Sequence, residues 1–178
     1  PMHQRQPRPR FHIVHPKEVY ANRYFSLYST EFMADLGPQE WVKEVQRAKE
    51  AAKRHRSVLI ANVAGRNYEE WAKLAKMMEE AGADMIELNL SCPHVEPEGG
   101  IFMGRVAGTD PKISQKIIKA VKETVDIPVI VKLTPEGADP LTMAEAAVKA
   151  GVDALVATAR FQGLIIDPET MGPPLWGG

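Results

Sequence analysis

The sequence predicts an α/β protein built on part of a (β/α)8 TIM barrel, with about four βα units recognisable. Three observations predict it. Strand-like and helix-like segments alternate, the mark of parallel strands joined by helical crossovers. Inside the strands, polar and apolar residues alternate, so each strand has one apolar face for helices and one that turns polar towards its C-terminal end. Barrel enzymes gather their chemistry at that end. No GxGxxG opens a helix after any strand, which counts against a doubly wound dinucleotide-binding sheet.

The elements follow in chain order. Residues 1–17 are basic (Arg5, Arg8, Arg10, Lys17) and carry Pro1, Pro7, Pro9 and Pro16, an extended and solvated lead-in. The stretch from Arg10 to Leu36 is less regular, and a helix follows over Gln39–His55. Ser57–Gly65 (SVLIANVAG) is β-branched and apolar and reads as a strand. Asn67–Gly82 reads as a helix: Asn67 suits the cap, Glu69 and Glu70 the first turn, and Gly82 the stop. Trp71, Leu74, Met77 and Met78 give it an apolar face. Met85–Cys92 is the next strand, with Glu87, Asn89 and Ser91 alternating with Ile86, Leu88 and Leu90. Asp110 and Pro111 open a helix reaching about Thr124. Pro128–Pro135 is a third strand, Asp139–Gly151 a fourth helix and Ala154–Phe161 a fourth strand. Met171–Gly178 is a proline- and glycine-rich loop. A full barrel takes ~250 residues, so the chain is expected to be one partial-barrel domain, 1–178, and a fragment of a longer protein.

Composition narrows the function classes. A net charge of −1 gives no general attraction to nucleic acid or an anionic membrane. The longest apolar runs, such as 58–61 and 129–131, fall far short of the ~20 residues of a membrane span. Cys92 is the single cysteine, which excludes an internal disulfide and a CxxC metal site and suits a reducing compartment. A cytoplasmic protein with no metal, nucleic-acid or membrane partner is expected.

Asn89-Leu90-Ser91-Cys92-Pro93-His94 is the most informative segment. Cys92 sits where a strand hands over to a glycine-rich loop (Gly99, Gly100, Gly104, Gly108) able to close over a substrate. A thiol there can serve as acid, base or nucleophile; it can equally be a buried structural cysteine. His94 reads as a solvated loop histidine.

Glu87–His94, Thr109-Asp110-Pro111, Val131-Lys132-Leu133-Thr134-Pro135 and the stretch from Gly151 to Gly163 together resemble the dihydroorotate dehydrogenase and dihydropyrimidine dehydrogenase flavin-domain superfamily. The resemblance runs over about residues 57–178, with a weaker trace from Phe25 to Trp41, and is closer to the dihydropyrimidine dehydrogenase type. It implies FMN at the barrel mouth and an oxidoreductase acting on a C–C/C=C bond. Cys92 would transfer the proton, Asn89 and Ser91 would contact substrate, and Lys132 would contact the flavin near N1. Lys132 could also pair with Glu87 inside the barrel; the two roles are compatible. Asn62 either supports the flavin or fills the barrel. The loops that hold the flavin phosphate in this family are expected to lie outside the chain. An iron–sulfur or NAD(P)-linked electron partner and an oligomer are expected, and one cysteine cannot ligate a cluster.

The chain departs from the family at the end of the fourth strand. Pyrimidine-using members have an Asn-Thr pair there, where this sequence has Ala159-Arg160, and an asparagine near the position of Ser29. Amides match a pyrimidine's alternating donors and acceptors, so a substrate other than a standard pyrimidine is expected, with Arg160 gripping a carboxylate or phosphate, or else facing solvent or pairing with a nearby acid. Two other functions stay open: a flavin-free lyase or aldolase using Lys132 as a Schiff-base amine, and a non-catalytic subunit of a redox complex.

Overall fold

The computed structural model describes residues 11–14, 26–29, 36–92 and 103–175. The lead-in up to residue 10, His94, Gly99 and Gly100 lie outside them. The chain divides into two compact units, residues 37–161 and residues 1–36 with 162–178.

The larger unit carries the alternation read from sequence. In order it holds α1 (Pro38–His55), β3 (Ile60–Val63), α2 (Tyr68–Glu80), β4 (Met85–Asn89), α3 (Gly104–Thr109), α4 (Pro111–Lys122), β5 (Val129–Lys132), α5 (Pro140–Lys149) and β6 (Ala154–Val156). The strands form one parallel sheet in the order β3-β4-β5-β6. The α/β class and parallel strands are as the sequence predicts. Among the described residues, the larger unit forms an open four-stranded sheet.

The helices begin where their caps predict. Asn67 accepts from the Glu70 amide at 2.8 Å, Asp110 from the amides of Lys112 and Ile113 at 2.8 and 3.1 Å, and Asp139 from that of Thr142 at 2.9 Å. Gly82 and Gly151 follow α2 and α5 with φ of +103° and +87°, conformations that glycine adopts without strain.

The helices cover one face of the sheet. Ile86, Leu88 and Leu90 from β4 and its exit, and Val129 and Val131 from β5, are fully buried. They pack with Trp71, Ala75 and Met78 of α2, Ile117, Ile118 and Val121 of α4, and Met143 and Ala147 of α5. The other face carries the polar residues of the same strands.

The strands are shorter than sequence predicts, because the parallel ladder ends once the chains diverge into loops. Three elements are unforeseen. Residues 104–109 are helical, where the glycines read as loop. In the smaller unit, β1 (Phe11–Val14) and β2 (Ser26–Ser29) pair antiparallel inside the stretch that showed no regular period. Among the described residues, no helix is long and apolar enough to cross a membrane.

Candidate active site

The register of the sheet assembles the site. Asn62 on β3 lies opposite Glu87 on β4, and Asn89 on β4 opposite Lys132 on β5. Opposed residues of neighbouring parallel strands share a face, and residues two apart along a strand share one too. Asn62, Glu87, Asn89 and Lys132 therefore occupy the face turned away from the helices, towards the C-terminal end of the sheet.

Glu87 is the centre of this group. Its Oε1 accepts from Lys132 Nζ at 2.8 Å and also from Asn62 Nδ2. Both members of the ion pair are partly withdrawn from water, with side chains 22% exposed for Lys132 and 18% for Glu87. The pair joins three strands into one hydrogen-bonded row. It also fills the structural role foreseen for Lys132.

Asn89 turns its carbonyl back into the chain. Its Oδ1 accepts from Ser91 Oγ at 2.7 Å and from the Ser91 amide at 3.2 Å, a turn that bends the chain out of the ladder. Its Nδ2 makes no hydrogen bond among the described residues, so two donors remain for a ligand.

Cys92 follows on the same exit, half-buried. Its backbone is held by α3: Arg105 N donates to the Cys92 carbonyl at 2.9 Å. Two glycines allow the approach. A Cβ on Gly104, where φ is +52°, would lie 2.3 Å from the Cys92 oxygen, and one on Gly108 would lie 1.9 Å from the Leu90 oxygen. The sequence showed both glycines as loop residues; their i, i+4 spacing was the available sign of a helix face pressed against backbone.

Arg160 is exposed, four residues past the end of β6, and Ala159 before it is half-buried. A groove of about 260 Å³ lined by Gln39, Val42, Gln46, Met77, Glu80 and Ala81 lies on the outer helical layer between α1 and α2, away from the polar rim.

The family model for dihydroorotate dehydrogenase matches residues 22–172. The chain belongs to the dihydroorotate dehydrogenase family. It is 39% identical over 161 residues to the "Dihydroorotate dehydrogenase B (NAD(+)), catalytic subunit" of Methanocaldococcus jannaschii, covering 90% of this chain and 51% of that protein. It is 43% identical over 115 residues to the protein of the same description from Caldicellulosiruptor saccharolyticus, covering 65% and 36%. To the Escherichia coli "NAD-dependent dihydropyrimidine dehydrogenase subunit PreA" it is 40% identical over 123 residues, covering 68% and 29%. The chain spans about half the length, or less, of these family members. Among solved structures, the carboxyl transferase domain of Rhizobium etli pyruvate carboxylase shares the fold over 67% of this chain and 19% of its own, with a TM-score of 0.50 and 21% identity.

Proposed function

We propose that this chain supplies the βα units of a TIM-barrel FMN-dependent oxidoreductase acting on a C–C/C=C bond of a small molecule. Both compact units belong to that one barrel domain, and the open sheet is closed by further strands. The observation that carries the reading is the pairing of Asn89 with Lys132 at the C-terminal end of adjacent strands, with Cys92 three residues further on.

The donor set fits a flavin. Lys132 offers an ammonium beside a partly exposed face, which suits the electron-rich pyrimidine edge of a reduced flavin. FMN supplies hydride transfer when bound. Lys132 and Asn62 hold the cofactor edge, Asn89 and Ser91 orient the substrate, and Cys92 holds the proton exchanged at the carbon next to the one that takes part in hydride transfer. Residues 157–160 (Ala-Thr-Ala-Arg) contain no amide to read a pyrimidine, so Arg160 anchors a substrate carboxylate or phosphate instead. The relatives described as NAD-linked subunits support a separate electron-transfer partner.

The Schiff-base alternative is disfavoured by the ion pair. Lys132 donates to Glu87, and an ammonium held in that way has no lone pair for a carbonyl carbon.

The test is the absorption spectrum of the full-length purified protein, with identification of the released cofactor. Released FMN is expected. Cys92→Ser should keep the flavin bands and lower turnover by about 10²-fold or more, the usual share of a positioned proton-transfer group. A colourless protein whose Lys132 is trapped by borohydride with a carbonyl compound would replace this reading with the lyase.

A further inference from the structure

We infer that Glu87 is a positioning residue: it holds the Lys132 ammonium at the rim and offsets part of its charge, and Asn62 in turn holds Glu87. The inference rests on the flavin reading above and extends it to a residue that touches neither substrate nor cofactor.

Three facts carry it. Glu87 Oε1 accepts from both Lys132 Nζ and Asn62 Nδ2, so one carboxylate oxygen gathers groups from the strands on either side. The Lys132 and Glu87 side chains are only 22% and 18% exposed, so the pair is screened less than a surface pair would be. The β-register fixes all three on one face without help from any loop. A lysine has four rotatable bonds and strays unless something holds it. Among the described residues its ammonium bonds to Glu87 alone, so the carboxylate selects the direction in which Lys132 points.

The charge has a consequence. A ligand that gains negative charge on reduction meets a Lys132–Glu87 pair, not an isolated cation. Neutralising Glu87 leaves the full positive charge of Lys132 facing it. Reduced, anionic flavin should then bind more tightly relative to oxidised flavin, and the midpoint potential should rise. Asn62 acts in the same sense but more weakly, because without its bond Glu87 is held less firmly against Lys132 while its charge remains.

The experiment compares full-length wild type, Glu87→Gln and Asn62→Ala by two readouts. The first is the flavin midpoint potential. The second needs no cofactor: the rate at which Lys132 is acetylated by an N-hydroxysuccinimide ester, read by mass spectrometry. Glu87→Gln should raise the potential and speed Lys132 acetylation severalfold, with Asn62→Ala shifting both in the same direction by less. Unchanged acetylation and an unchanged potential in Glu87→Gln would overturn the inference. If Glu87→Gln does not fold, Asn62→Ala decides by the acetylation rate alone, because Asn62 also contacts the cofactor in the proposed function: an unchanged rate overturns it. Absence of flavin from the wild type sinks the parent reading instead, and the acetylation rates still judge whether Glu87 restrains Lys132.

Discussion

Gly108 sets how closely α3 approaches the strand exit that carries Cys92. An added Cβ would fall 1.9 Å from the Leu90 carbonyl oxygen and 3.0 Å from its carbon, both backbone atoms with nowhere to go. Gly108→Ala is therefore expected to destabilise the chain by about 1–3 kcal/mol, the usual cost of overpacking. Gly163→Ala is the control, since a Cβ there meets nothing within 4 Å. Urea unfolding should show a lower midpoint with an unchanged slope for the first and no shift for the second. The polar residues of this rim were legible in the sequence because period-two alternation along the strands fixes their face. The Lys132–Glu87 pair was among the foreseen possibilities; the second bond from Asn62 to Glu87 was not, because it depends on how β3 is staggered against β4. That stagger is set by packing, which no single strand records.

At the scale of elements, one device recurs at the opposite end of the sheet. Ala-Gly-x-Asp occurs at 81–84 and again at 150–153, each time just before a strand. Asp84 accepts from the Leu59 amide at 2.8 Å and from Lys49 of α1. Asp153 accepts from the Val129 amide and from Lys122 of α4, both at 2.7 Å. Each aspartate ties the start of its own strand to the start of the neighbouring one and to the helix that precedes it. The sequence reading passed over the repeat, because four residues carry no sign of what they bind: the amide partners lie 25 and 24 residues away. Helix caps were legible because their partners are three residues off. α3 was hidden because glycine's low helix propensity masked it, and the packing of Ala107 and Gly108 overrides that preference. The lysine bonds, followed by the backbone amide bonds, hold both aspartate carboxyls below the ordinary aspartate value. With the folded-state value below the unfolded one, protonation favours unfolding. The stabilisation is complete above the ordinary aspartate range and is lost as pH falls through the lowered values, from about pH 5 downward. Lys122→Met removes the first cause at Asp153 and should flatten this acid limb. Thermal melts across that range check it; an acid limb as steep as wild type would show that the Lys122–Asp153 pair contributes nothing, since the Val129 amide still holds Asp153.

For the whole molecule, the strand order separates two central strands from two outer ones. β4 and β5 are paired on both sides, whereas β3 and β6 have one partner each among the described residues. Burial follows this division at β6 and only partly at β3: Ile86, Leu88, Val129 and Val131 are fully buried and Leu155 on β6 is 37% exposed, while on β3 Ile60 is 45% exposed but Ala61 and Val63 are buried. An amide exchanges its hydrogen when its bond opens, and bonds in the packed centre open only with global unfolding. Strand edges left unpaired present free amides to water. Hydrogen exchange on this 178-residue chain should therefore find β4 and β5 slowest and β3 and β6 markedly faster. The same measurement on the full-length protein should bring β3 and β6 up to the protection of the centre, because closing a barrel gives every strand two neighbours. Faster exchange of β3 and β6 in both forms would mean that the sheet stays open, and the barrel closure proposed for this protein would fall.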